Sequence, residues 1–305
     1  MTNKISVVVP NYNGEELLRK HLPKVIEAVS GAEIIVVDDA STDDSVAVLQ
    51  EQFPQVHLIQ HTKNQRFAAA CNTGVAAAEG KIVVLLNNDV SPQKDFLKHL
   101  LVHFDDEKVF AVGCKEIEKR EGTIIESCRS EGAFRRGFLV HWRAEDQTKT
   151  TTLWAAGGSM AVRKSLWQKL GGMDTLYRPA YWEDIDLSYR ALKRGYKVLF
   201  EPKAVVEHKH ETTNVVSLGK RVMKISAYKN QILFVWKNIT DIMFIIQHCL
   251  WLPYHLLVTS VRTHGEFLLG FLAALYRLPM ALRRRKKTSA NMLYSDSDIL
   301  GRSER

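Results

Sequence analysis

Carboxylates gather at three places along this chain, each where an apolar run stops or a helical run starts. Asp38 and Asp39 follow Glu33-Ile34-Ile35-Val36-Val37, Asp89 closes Asn87-Asn88-Asp89 after Ile82 to Leu86, and Glu183-Asp184-Ile185-Asp186 follows Tyr181-Trp182. A carboxylate at the end of a buried strand is unfavourable unless it is paired or bound to a cation. Oxygen ligands of this kind suit Mg2+ or Mn2+. Asp89 is therefore a candidate metal ligand, where a cation would stabilise charge on a departing diphosphate. Asn-Asn-Asp also makes a good turn. Asp39 is the candidate to accept hydrogen bonds from a base or ribose and Asp38 a secondary one, although either can cap the next helix.

In Glu183-Asp184-Ile185-Asp186, one carboxylate can take the proton from an acceptor hydroxyl within hydrogen-bond reach. The same residues also offset a helix dipole from the first turn. Asp184 and Asp186 stand two apart and cannot share a helix face, so they should divide roles. Tyr181 and Trp182 offer apolar surface for a sugar face. Gly157-Gly158-Ser159 would let the backbone approach a substrate closely, or makes a tight packing turn. Arg66 carries a fork suited to paired phosphate oxygens. His208 and His210 alternate on a strand-like run and point the same way; one would contact metal or phosphate and the other solvent.

These groups need a scaffold. Ile5 to Pro10, Glu33 to Val37, Val56 to Ile59 and Lys81 to Leu86 read as short strands. Helical spacing separates them over Glu15 to Val29, Asp44 to Gln52 and Phe67 to Glu79. Uninterrupted apolar strands alternating with helices predict an α/β domain with a mainly parallel sheet covered on both faces. Ligands then sit beyond the carboxyl ends of the strands, where Asn11, Asp39 and Asp89 converge. Phe110 to Trp154 reads as strands or loops. Helices are expected at Lys164 to Leu170 and Glu183 to Lys193, with a strand at Val198 to Phe200.

The character changes after His210. Val215 to Trp236 reads as a helix with basic and apolar faces, Ile242 to Val261 holds no Asp, Glu, Lys or Arg, and Phe267 to Tyr276 is again apolar before Arg283-Arg284-Arg285-Lys286-Lys287. Twenty residues rise about 1.5 Å each, just enough for a bilayer core of roughly 30 Å. Gln247, His248, Pro253 and His255 interrupt the stretch and favour helices lying in the interface, gripping anionic headgroups through the basic run. A soluble helical subdomain or a homo-oligomer surface is the alternative. The formal charge of +8 is concentrated here: nine Arg/Lys against four Asp/Glu from Arg262 onward contribute +5. Aromatic residues are not interleaved with the basic run, so nucleic acid is not an expected partner. The four cysteines are scattered without a Cys-x-x-Cys pair, as in a reducing compartment. The first residues form a strand-like run rather than a signal peptide, which places the expected site of action in the cytosol.

Val7 to Gly14, Val36 to Asp43, Asn64 to Gly74, Leu85 to Asp89, Gly157-Gly158-Ser159 and Trp182 to Leu187 together resemble, in order, the motifs of family 2 glycosyltransferases. The resemblance implies a GT-A fold, an inverting transfer without an enzyme nucleophile, and a nucleotide-diphospho-sugar donor. It implies a nucleotide side built from Pro10, Asn11, Tyr12, Asp38, Asp39, Arg66 and Asn88, with Asp39 at the nucleobase. Asp89 matches the last aspartate of the family's metal-binding D-x-D, Asn87 standing where its first aspartate often does. His208 would join Asp89 at Mg2+ or Mn2+. Asp184 matches the catalytic base, with Gly157, Gly158, Trp182 and Glu183 around the acceptor and sugar.

No Q-x-x-R-W motif of the processive synthases occurs, and Tyr228-Lys229-Asn230 before apolar sequence resembles the rhamnosyltransferase-like branch. That implies a dTDP-rhamnose-like donor and a lipid-linked or cell-envelope glycan acceptor at the cytoplasmic membrane face, reached peripherally or through one or two short inserted helices. The expected layout is a catalytic domain over 1–212 (nucleotide part to about 105), a membrane-associating helical region over 213–287 and a disordered tail over 288–305. A catalytically silent nucleotide- or glycan-binding protein on the same fold is the competing expectation. The joint presence of Asp89 and Asp184 argues against it.

Overall fold

A computed structural model describes residues 4–120, 123–127, 129–208, 218–288 and 291–300. Strands β1 (Ile5–Asn11), β2 (Glu33–Asp38), β3 (His57–Gln60) and β4 (Ile82–Leu86) lie parallel in the order β3-β2-β1-β4. Helices α1 (Glu15–Ala28), α2 (Ser45–Gln52) and α3 (Phe67–Ala77) make the crossovers. The apolar runs are uninterrupted because both faces are covered. Val7, Val9, Val36 and Val84 pack with α1, whereas Val8, Ile35, Val37 and Val83 pack with α3.

Beyond β4 the sheet is mixed, with antiparallel pairings joining a further parallel one. β10 (Ser159–Arg163) runs antiparallel to both β4 and β6 (Val109–Arg120). β11 (Lys197–His208) is parallel to β6 and much longer than the apolar triplet that marked it. β5 (Val90–Pro92) pairs antiparallel with β11, and β7 (Thr123–Ser127) with β6. β8 (Ser130–Arg135) and β9 (Phe138–Arg143) form a separate hairpin. Helices α4 (Phe96–Leu101), α5 (Lys164–Leu170) and α6 (Glu183–Lys193) complete this part.

The C-terminal helices α7 (Lys220–Asn238), α8 (Ile242–Arg262) and α9 (Glu266–Thr288) build a third core with the hairpin and α6. Trp182, Tyr189, Ile232, Phe234 and Phe267 meet there. α8 is tied along one side: His248 Nδ1 donates to the Gly137 carbonyl at 2.7 Å, His255 Nε2 to that of Arg136 at 2.9 Å, and Phe244 stacks on Phe134. Its other side exposes Ile242, Ile246, Leu250, Leu257 and Val261, offset by four or seven residues on one face. α9 likewise exposes Leu268, Leu272, Leu275 and Tyr276, a stripe that continues into the exposed Arg283 and Lys286.

The tail expected to be disordered over 288–305 is ordered from 291 to 300. Its last helix, α10 (Asp296–Leu300), buries Asp296, which accepts hydrogen bonds from Lys193 Nζ at 2.7 Å and Tyr189 Oη at 2.6 Å. A short polar segment with few apolar residues carries no sequence mark of such docking, because its partners lie a hundred residues away.

Candidate active site

A cleft of about 340 Å³, within the size range of small-molecule sites, opens at the carboxyl ends of β1, β2 and β4. Pro10, Asn11, Tyr12, Asp39, Arg66, Asn88, Asp89, Gly157, Gly158, Glu183, Asp184 and His208 all line it. Asp38 and Trp182 do not.

On the first wall, Asp38 points back into its own turn. It accepts from Asn11 Nδ2 at 2.9 Å and from the Ser41 amide at 2.9 Å, so its role is to hold the loop rather than to meet a ligand. Asp39 faces the cleft and accepts the amides of Gln65 at 2.8 Å and Arg66 at 2.6 Å, with His61 Nδ1 2.7 Å away. It thereby clamps the Asn64–Arg66 loop onto the rim. Arg66 sits at φ 73°, ψ 168°, a backbone region that glycine alone occupies freely. Ala40 also has a positive φ of 61°. Such strain, about 1–3 kcal/mol per residue, persists where surrounding contacts over-determine it and is concentrated at ligand sites.

The second wall comes from sheet register. β5 pairs with β11 so that His208 stands opposite Val90, the residue after Asp89. β11 pairs with β6 so that Val206 stands opposite Glu116. His208 Nε2 then lies 3.1 Å from Asp89 Oδ1, and its Nδ1 lies 3.1 Å from Glu116 Oε2. Ser159 Oγ donates to Glu116 Oε1 at 2.6 Å. Burial pulls the imidazole down, but the hydrogen bonds and charges of Asp89 and Glu116 outweigh it and hold His208 at about 10.

Among the described residues no three His, Cys, Asp or Glu side chains close a metal cage. Mg2+ and its analogues are commonly held by one or two protein groups plus phosphates and water, and this wall fits that pattern. Asp89 Oδ1 is buried 3.1 Å from His208 Nε2, and that imidazole becomes a nitrogen ligand once its proton leaves. Glu116, on the far ring nitrogen, would orient that ligand.

The start of α6 lines the same cleft. Tyr181 and Trp182 both have positive φ, 69° and 81°, and this pair of left-handed residues turns Glu183 and Asp184 into the cleft. Asp184 Oδ2 accepts the Gly157 amide at 3.0 Å and Oδ1 the Ile185 amide at 2.8 Å. The glycines are there for close approach. A Cβ on Gly157 would fall 3.4 Å from Asp184 Cβ and 3.0 Å from Met173, and one on Gly158 would fall 2.5 Å from Asn87 Nδ2. Burial raises the Asp184 carboxyl above its ordinary value, and burial together with the Asp184 charge pushes Glu183 to about 8. Asp184 is thus a stronger base than a solvated aspartate, and Glu183 beside it is shifted toward its protonated form.

Trp182 is the second departure from expectation. It is buried against Phe234 and His141 in the third core, and the aromatic ring open to the cleft is its neighbour Tyr181, 46% exposed. Asp186 turns the other way, into the protein, as two-residue spacing on a helix requires. Glu116 was not anticipated. It lies in a strand that reads as alternating charge, and only the β6–β11 pairing brings it to His208. His210 lies outside the described residues.

The chain is similar to known glycosyltransferases. A pre-mycofactocin glycosyltransferase of Mycobacterium tuberculosis is 30% identical over 212 residues, covering 68% of this chain and 43% of that protein. The O-antigen chain rhamnosyltransferase RfbN of Salmonella typhimurium is 23% identical over 219 residues, covering 69% of this chain and 68% of that one. The chain spans about half the length of the mycobacterial protein and of the probable glycosyltransferase YdaM of Bacillus subtilis, 43% and 52% respectively. Among solved structures, GalNAc-T7 with UDP, GalNAc and Mn2+ aligns at a TM-score of 0.66 with 17% identity, over 91% of this chain and 57% of that one. The mannosyltransferase PcManGT of Pyrobaculum calidifontis with GDP-Man and Mn2+ aligns at 0.57 with 19% identity, over 99% and 83%. The fold is that of the GT-A glycosyltransferases. The family model described as glycosyl transferase family 2 matches residues 6–171, more than half of the length, and the chain belongs to that family.

Proposed function

We propose that the chain transfers a single sugar, with inversion, from a nucleotide-diphosphate donor to a hydroxyl of a lipid-linked cell-envelope glycan. The observation that carries this reading is that Asp184 and the Asp89–His208 pair line one cleft. Asp39, Arg66 and the Pro10–Tyr12 turn would seat the nucleotide, with Asn88 donating to Asn11 at 2.8 Å to keep that turn in place. Asp89 and His208 would hold Mg2+ or Mn2+, which when bound neutralises charge on the departing diphosphate. Asp184 would take the acceptor proton from the opposite side, and Tyr181 would offer its ring to the acceptor sugar. A rhamnose-like donor is supported by the resemblance to RfbN.

The C-terminal helices would seat the enzyme on an anionic membrane. α8 is fastened to the protein along its length, which favours a helix lying in the interface over one crossing the bilayer. Its apolar face is bordered by the exposed Arg262, and the α9 stripe ends in Arg283 and Lys286, a layout matched to lipid tails flanked by anionic headgroups.

The test is a screen of nucleotide sugars with and without divalent cation, reading nucleoside diphosphate release. One donor class should turn over only with Mg2+ or Mn2+. Asp184→Asn should lower transfer by roughly 100- to 10,000-fold while nucleotide binding survives. Normal transfer by that variant would sink the assignment of the base, and binding without turnover of any donor would favour a silent binding protein.

A further inference from the structure

Three cations meet beside the cleft without an ion-pair partner among the described residues: Arg178, Lys229 and Arg277. Lys229 Nζ and Arg277 Nη1 both donate to the Arg178 carbonyl, and Arg277 also reaches the Leu176 carbonyl at 2.6 Å. These acceptors are neutral, so they form no ion pair with the basic groups. Arg178 Nε is itself buried with no hydrogen-bond partner. Burial, and then the charge of Arg178, lower the Arg277 guanidinium. Burial, and then Arg277, bring Lys229 to about 7. Glu183 is the carboxyl whose charge Lys229 senses, and burial pushes it toward its protonated form. Like charges gathered away from water repel one another more strongly than in solution. An anion with several acceptor oxygens relieves that repulsion and matches the arginine fork.

The position of the cluster says which anion. Asn230 Nδ2 donates to the carbonyls of Tyr177, Ala180 and Tyr181 at 2.7, 2.9 and 2.9 Å, which fastens the loop bearing Arg178 to α7. Ala180, Tyr181 and Glu183, just along that loop, line the cleft. On the other side, Arg277 directly follows Tyr276, 88% exposed in the α9 apolar stripe. The cations therefore lie between the cleft and the apolar surface.

We propose that Arg178, Lys229 and Arg277 form a binding site for the phosphate or diphosphate head of an amphiphilic acceptor, whose apolar chain lies along Leu268, Leu272 and Tyr276 and whose sugar enters on the Asp184 side. The acceptor's orientation rests on the function proposed above; the anion site itself does not.

Isothermal titration of the full chain with octyl phosphate, octanol and inorganic phosphate, in mild detergent with EDTA, tests the site apart from any metal-dependent binding. Octyl phosphate should bind best, and Arg178→Gln and Arg277→Gln should each weaken it by about tenfold. Arg283→Gln, on the open surface, should leave it unchanged. Because no hydrogen bond or ion pair joins the Arg178 guanidinium to another side chain among the described residues, Arg178→Gln should keep the wild-type Tm and its binding of nucleoside diphosphate with Mn2+. Octyl phosphate binding Arg178→Gln as tightly as wild type, octanol binding as well as octyl phosphate, or inorganic phosphate binding as well as octyl phosphate would each overturn the proposal. If no nucleotide sugar turns over yet octyl phosphate binds in the Arg178-dependent way, the anion site stands and the transferase reading falls.

Discussion

Glu116 illustrates how a single side chain can govern a site it barely enters. Its carboxylate sits 3.1 Å from His208 Nδ1 and is itself anchored by Ser159. That fixes the ring so that Nε2 faces Asp89, and together with Asp89 it supplies the charge that keeps the imidazole basic. Replacing such an orienting group commonly weakens metal binding by 10- to 100-fold. Glu116→Gln should therefore raise the Mn2+ concentration needed for nucleoside diphosphate release by about that factor, with little change in the rate at saturating metal. An unchanged metal titration would remove Glu116 from the site. Asp38 and Trp182 show the converse: both have the right chemistry and the right neighbours in sequence, but they face the turn and the core respectively.

At the scale of the element, α6 joins the chemistry to the C-terminal helices. Its first turn presents Glu183 and Asp184 to the cleft, while Asp186 is buried among Tyr177, Arg190, Lys237 and Asn238. Burial alone would raise the Asp186 carboxyl, yet Arg190 and Lys237 hold it well below the usual carboxylate range. Lys237 also reaches Asp174 at 2.7 Å, so one lysine of α7 ties α6 to the loop before it. Removing one partner of a buried ion pair leaves an uncompensated charge and costs about 3–5 kcal/mol. Lys237→Met should lower the Tm by about 10 °C, and by more than Arg283→Met on the open surface. Equal melting of the two variants would mean that this network contributes nothing to holding α6.

At the scale of the whole molecule, α8 and α9 each carry an open apolar face, and exposed basic residues collect toward their ends. Vesicles containing phosphatidylglycerol should sediment the protein, and pure phosphatidylcholine vesicles much less. The difference should shrink as salt shortens the Debye length below about 10 Å. Leu250→Glu together with Leu272→Glu should abolish sedimentation while leaving nucleotide binding intact. If those two substitutions leave vesicle binding unchanged, the open face serves a protein partner or a second copy instead.

What lay in the amino-acid order was everything local. The alternation of uninterrupted apolar runs with helical spacing marked β1 to β4 and their crossovers, because strands buried on both faces need no polar residues. The polar turns at Asn11, Asp39 and Asp89 follow from where those strands must stop. α5 and α6 were also readable to the residue, bounded by glycine stops and an acidic first turn. What only the tertiary structure decided depends on pairing between distant segments. The mixed second half of the sheet, the meeting of Glu116 with His208, the inward turn of Trp182 and the docking of Asp296 on Lys193 all join residues whose own neighbours give no sign of it. Register and burial are properties of the assembled chain: a strand carries its side-chain period in its residues, but not the identity of the strand that will lie beside it.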